Sequence, residues 1–84
     1  MKGEPMDIDW MLCAMQKAFP WKCRKYIVIE EFPVHACYKI TICVDVGNIG
    51  YEEEFEVAKN HDHLRCKFED ALKNLGATVR HEVR

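Results

Sequence analysis

From Tyr38 to Val46 the chain alternates without a miss: Tyr38, Ile40, Ile42, Val44 and Val46 are apolar, and Lys39, Thr41, Cys43 and Asp45 stand between them. A period of two is the pattern of a strand with one buried face, and a helix would scatter these five apolar residues around its circumference. Gly47-Asn48-Ile49-Gly50 follows, where both glycines and the asparagine tolerate positive φ, so a hairpin folded about Asn48 and Ile49 is predicted. In that register Val46 faces Tyr51, Ile42 faces Phe55 and Ile40 faces Val57, while Asp45, Cys43 and Thr41 meet Glu52, Glu54 and Glu56. A slip of one residue would set apolar side chains against acidic ones along the whole ladder. The hairpin therefore has one apolar face and one acidic face, and the apolar face needs a cover.

The rest of the chain supplies it. Ile8, Met11, Leu12, Met15 and Phe19 recur at three- and four-residue spacing, which predicts a helix from about Ile8 to Phe19, opened by Asp7 or Asp9 and closed by Pro20. Trp21 to Lys25 reads as a basic connector, and Tyr26 to Phe32 as a strand apolar on both faces that Pro33 ends. A second helix, capped by Asn60 or Asp62, is predicted to bury Leu64, Phe68, Ala71, Leu72 and Leu75, with Arg65–Glu69 and Glu69–Lys73 as supporting pairs and Gly76 as its stop. Residues 77–84 alternate loosely through Val79 and Val83 and read as a tail or an extra edge strand. The expectation is one α+β domain over residues 1–84 with its core at about 8–76. Its order is α-β-β-β-α, a three-stranded antiparallel sheet with two helices packed on one face.

Composition narrows the class of function. The chain has 84 residues, 49% hydrophobic and 31% charged, enough for one core. Twelve Lys and Arg against fourteen Asp and Glu give a net charge of -2, so no global field draws it to a polyanion, and any such contact must be local. No run approaches the ~20 apolar residues of a membrane span, and Met1 to Asp9 lacks the basic-then-apolar order of an export signal, so no membrane role is expected. Cys13, Cys23, Cys37, Cys43 and Cys66 are an odd set without a C-x-x-C pair, which points to reduced thiols in the cytoplasm or nucleus, several of them acting as small core hydrophobes. Cys23, beside Arg24 and Lys25, is the thiol best placed for a lowered pKa.

Several segments resemble the double-stranded-RNA-binding domain family over about Trp10 to Gly76. The run Leu-Cys-Ala-Met-Gln-Lys at 12–17 is similar to the family's first helix, with Gln16 at the position of a glutamine that reaches the RNA minor groove and Cys13 or Ala14 where the family has an acidic residue. Tyr26 to His35 resembles the first strand and the G-P-x-H loop, with Phe32 in place of the glycine and Pro33 and His35 matching. The family's last helix opens on a lysine-rich K-K-x-A-K stretch that grips phosphates. Here Lys59 and Arg65 stay basic, His61 and His63 stand at lysine-like positions, and Asp62 puts a negative charge where a phosphate would lie. The resemblance thus implies RNA contacts from Gln16, Lys17, Pro33, His35, Lys59, His61, His63 and Arg65. It also implies that members eroded in this way serve as protein-interaction modules.

Other constellations are weaker. His61, His63 and Cys66 form an H-x-H-x-x-C cluster, with His35 and Cys37 nearby in sequence, but the spacing matches no zinc signature and no metal or other cofactor is assigned. A Cys–His nucleophile needs a third orienting group and a concave pocket, so neither catalysis nor a small-molecule substrate is expected. Trp10 and Trp21 either anchor a partner or cover the edge of the core, and Glu52, Glu54 and Glu56 either meet a basic partner or form a solvated strand face. Glu53 falls on the apolar face and is expected at the rim or paired with Lys22 or Arg24. Three functions remain. The first is an adaptor that docks on a protein, itself or a related domain, within an RNA-processing or RNA-defence complex. The second is a working double-stranded-RNA binder, and the third is an unrelated small inhibitor or interaction protein, such as a viral counter-defence factor.

Overall fold

The computed structural model describes residues 7–20 and 23–83. Helix α1 (Ile8–Ala18) leads to strand β1 (Arg24–Phe32), a 3-10 turn (Pro33–His35), strands β2 (Cys37–Val46) and β3 (Ile49–Ala58), and helix α2 (Leu64–Val83). The three strands form one antiparallel sheet in the order β1-β2-β3. The expected α-β-β-β-α architecture is the one observed.

Ile40, Ile42 and Val44 of β2 and Val57 of β3 form the floor of the core. Met11, Met15 and Phe19 come down on it from α1, and Leu64, Phe68, Ala71, Leu72, Leu75 and Val79 from α2. Both helices therefore cover the same face. They run parallel, because Asp7 meets Arg65 and Trp10 meets Phe68, pairs equally far apart in sequence. α1 lies against β1 and α2 against β3.

Several expectations change. The hairpin closes through a two-residue loop, Gly47-Asn48, with Val46 opposite Ile49. Gly47 has φ +64, the positive value at the first loop position that matches the twist of a hairpin. Every β3 partner moves by two residues, so Ile40 faces Phe55, Val44 faces Tyr51 and Cys43 faces Glu52. A shift of two preserves the face of each side chain, so the apolar and acidic faces stand although the partners differ.

Helix α2 does not stop at Gly76 but continues to Val83, and residues 77–83 are neither tail nor strand. Leu75, Val79 and Val83 are four apart, the spacing of a helix, and Val79 is fully buried. Nor do Asn60 and Asp62 cap this helix. The Asn60 Oδ1 accepts from the Asp62 N–H at 3.0 Å, and the first helical bond runs from the Lys67 N–H to the His63 carbonyl. Arg65 turns to Asp7 rather than to Glu69.

The apolar stripe of α1 is rotated from the expected one. Asp7 precedes the helix without a side-chain capping bond, and Ile8 and Leu12 are 45% and 47% exposed. Trp10, Ala14 and Ala18, on the flank toward α2, pack against the core instead. Finally, of the five free cysteines only Cys43 is buried, and Cys13 and Cys66 are exposed.

Candidate binding surfaces

One end of the sheet gathers two of the three segments that the resemblance assigned to RNA. Pro33 opens the 3-10 turn, Ala36 closes it in the left-handed region at φ 53, and its N–H returns to the Pro33 carbonyl. The Lys59 N–H donates to the Ala36 carbonyl at 3.3 Å, which ties the loop after β3 to the loop after β1. Pro33, His35 and His63 are exposed there, and His61 is half-buried. Gln16 and Lys17 are exposed too, but they lie in the last turns of α1, at the end of the helix away from the Asp7–Arg65 contact.

The cations of this end are occupied within the chain. Lys59 pairs with Glu31 and sits 5.0 Å above the Tyr38 ring, and its side-chain bond to the Glu31 carboxylate raises its pKa. Arg65 gives two bonds to Asp7 Oδ2, at 2.6 Å from Nη2 and 3.2 Å from Nε, and its guanidinium lies 4.8 Å over Trp10. Lys67 donates to the Glu56 carbonyl at 2.8 Å. His63 lies 3.6 Å from Asp62, while the His61 ring stands 5.7 Å from that of Tyr38. The two histidines thus point to different neighbours. Among the described residues, no three His, Cys, Asp or Glu side chains converge as metal ligands.

Trp10 covers the edge of the core: it meets Phe68 edge-on at 5.6 Å and carries Arg65 on its face. Trp21 and Lys22 lie outside the described residues.

Among the described residues no element covers the sheet face away from the helices. Glu52, Glu54 and Glu56 line one side of it, and Glu30 stands across β2 from Glu56. Lys39 reaches Glu54 at 3.3 Å, and this pairing raises the lysine pKa. Arg24 lies 4.0 Å from Asp45 and 5.2 Å over the Tyr26 ring. Between these charges run Tyr26 and Val28, 38% and 40% exposed, beside buried Thr41 and Cys43. Burial pushes the Cys43 thiol up, and a hydrogen bond with that thiol raises the Tyr26 pKa.

Glu53 sits on the helix side, opposite Ile42, at the rim of a shallow groove between β3 and α2 that Lys67, Asp70 and Asn74 also line. Arg24 does not reach it, being on the other face.

Sequence reasoning passed over Ile8, Leu12, Tyr26 and Val28 as surface features. The signal was present in β1, whose residues are apolar on both faces although the strand is at the sheet edge. Among the described residues no helix is long and apolar enough to cross a membrane. Comparison with models of known families, with characterised proteins and with solved structures returns no match to this chain.

Proposed function

We propose that this chain is a non-catalytic module of the double-stranded-RNA-binding-domain type that works by binding protein rather than RNA, as an adaptor in an RNA-processing or RNA-defence complex. The family part of the reading rests on the residues at 12–17, 26–35 and 59–65 together with the order of the elements. The functional part rests on one observation: both basic residues kept at the start of the last helix, Lys59 and Arg65, are held by carboxylates of the same chain.

Affinity for a duplex depends on the number of phosphates neutralised, each contributing a slope of about -0.9 to log K against log salt. A cation already paired with a carboxylate has much of its charge neutralised and gains less from a phosphate. With His61 and His63 in place of lysines and Asp62 between them, too few contacts remain to hold a duplex at physiological salt. The acidic, partly apolar outer sheet face repels a polyanion and suits a protein surface.

A gel-shift titration against an RNA duplex of about 20 base pairs, with a DNA duplex of the same sequence as control, tests this reading at low and at physiological salt. The expected result is no shift at tens of micromolar protein. RNA-selective, sub-micromolar binding at physiological salt overturns the protein-binding reading and makes the chain a working RNA binder.

A further inference from the structure

The two edges of the sheet differ in a way that bears on the partner. Unpaired strand edges invite another strand, and proteins block them with charge, proline or charged side chains that point inward. Edge strand β3 carries Glu52, Glu53, Glu54 and Glu56 around Phe55 in its middle, with Glu53 turned to the helix side. Edge strand β1 has no such device over Tyr26-Ile27-Val28-Ile29, its helix-side charges Lys25 and Glu31 standing beyond either end of that run, and contains neither glycine nor proline in its nine residues. Among the described residues no strand pairs with its outer side.

Strand β1 is also complementary to itself. Turned antiparallel about Val28, a second copy sets Val28 against Val28, Ile27 against Ile29, Tyr26 against Glu30, and Lys25 against Glu31 at both ends. Turning about Ile29 would instead place Glu31 against Ile27 and Glu30 against Val28, and turning about Ile27 would place Lys25 against Ile29. Only the register about Val28 pairs like with like on the apolar positions and opposite charges on the helix side. Glu31 already holds Lys59, and a carboxylate has acceptor sites for a second cation.

A second surface lies beside this edge. α1 rests against β1, and its flank toward α2 carries Asp7, Trp10 and Ala14. By helical geometry Ile8 and Leu12 occupy the opposite flank, on the side of the β1 edge, where both are nearly half exposed.

We infer that two copies of this chain pair antiparallel through their β1 edges, forming a continuous six-stranded sheet with the Ile8–Leu12 flanks of the two α1 helices facing each other across the two-fold axis. This rests on the protein-binding reading above and names its partner. Such an interface is isologous, so each Lys25–Glu31 contact occurs twice.

Sedimentation of the full chain in reducing buffer, over a concentration series reaching about 0.5 mM, tests it, since small edge interfaces are weak. The wild type is expected to dimerise as concentration rises. Lys25→Glu and Glu31→Lys each set like charges face to face and are expected to weaken the dimer about tenfold or more, whereas the double variant restores opposite pairing and the dimer. Leu12→Glu on the exposed flank of α1 is expected to weaken it as well. Far-UV circular dichroism establishes that each variant is folded.

A wild type that stays monomeric throughout overturns the dimer. So does a dimer indifferent to both single changes, or one that the double change fails to restore. None of these outcomes produces an RNA shift, and that shift is what would overturn the protein-binding reading beneath.

Discussion

The α2–β3 half of the domain and the α1–β1 half are built from similar parts and finished differently. α2 has 20 residues and buries Leu64, Phe68, Ala71, Leu72, Leu75 and Val79, with Phe68 edge-on to Phe55 at 6.1 Å. The strand beneath it is guarded by glutamates. α1 has 11 residues, buries Met11 and Met15 with Phe19 just beyond, and leaves Ile8 and Leu12 in water beside an unguarded strand. Among the described residues the first half leaves only Ile49, at the hairpin end of β3, exposed among its large apolar side chains, whereas the second leaves Ile8, Leu12, Tyr26 and Val28. A small domain has little apolar area to spare, and Ile8 and Leu12, left outside, are the residues that the inferred dimer would cover.

Truncation of one residue from each half sharpens the contrast most. Phe68 is wholly buried between Trp10 and Phe55, and Phe68→Ala is expected to lower unfolding free energy by about 3–5 kcal/mol in urea titration. Leu12→Ala, measured in dilute protein, should change it by no more than about 0.5 kcal/mol, because the residue is already half solvated. A loss of several kcal/mol at Leu12 would mean that α1 has no free flank, and the comparison would break.

Gly76 tests how far the well-packed half extends. It lies in the interior of α2 with ordinary helical backbone, and a Cβ there would meet no atom nearer than Arg80 Nη2 at 4.0 Å. Alanine is the better helix former by about 1 kcal/mol, so Gly76→Ala is expected to stabilise the domain by roughly 0.5–1 kcal/mol. Destabilisation would indicate that the helix ends at the glycine after all, with Val79 outside the core.

That glycine also marks where sequence reasoning fell short. Glycine ends helices when it takes a positive φ, and nothing in its identity tells whether the chain uses that freedom. The spacing of Leu75, Val79 and Val83 carried the answer, but a valine pair in a short polar segment was as easily read as a strand. The faces of the β2–β3 hairpin were legible because period two survives a shift of two, and the loop was misplaced although β-branched Ile49 resists the positive φ that Gly47 and Asn48 accept. Element order and the sheet's share of the core were therefore in the residues themselves, while the buried faces of the two helices were legible only in part. What the linear pattern could not supply was which carboxylate each cation would find, since Lys59–Glu31 and Arg65–Asp7 join residues far apart in sequence. Those two pairs decide how the basic positions are read.

The Lys59–Glu31 contact is the strap between the halves, joining the chain after β3 to the end of β1, and its effect is the smallest and the most specific. Its partners are largely exposed, so its contribution to stability is modest. The pairing raises the Lys59 pKa above the ordinary 10.5. A group bound to its proton more tightly in the folded state stabilises that state fully below the unfolded pKa, and the contribution fades as pH rises through the folded one. The difference in urea midpoint between the wild type and Glu31→Gln should therefore be constant from neutral pH to about 9.5 and vanish above the ordinary lysine range. Because Glu31 also faces Lys25 of the second copy in the inferred dimer, the same substitution should weaken association over that pH range. If instead the midpoint difference persists in strong base, Glu31 stabilises the fold through something other than charge, and the two halves are joined by packing rather than by the strap.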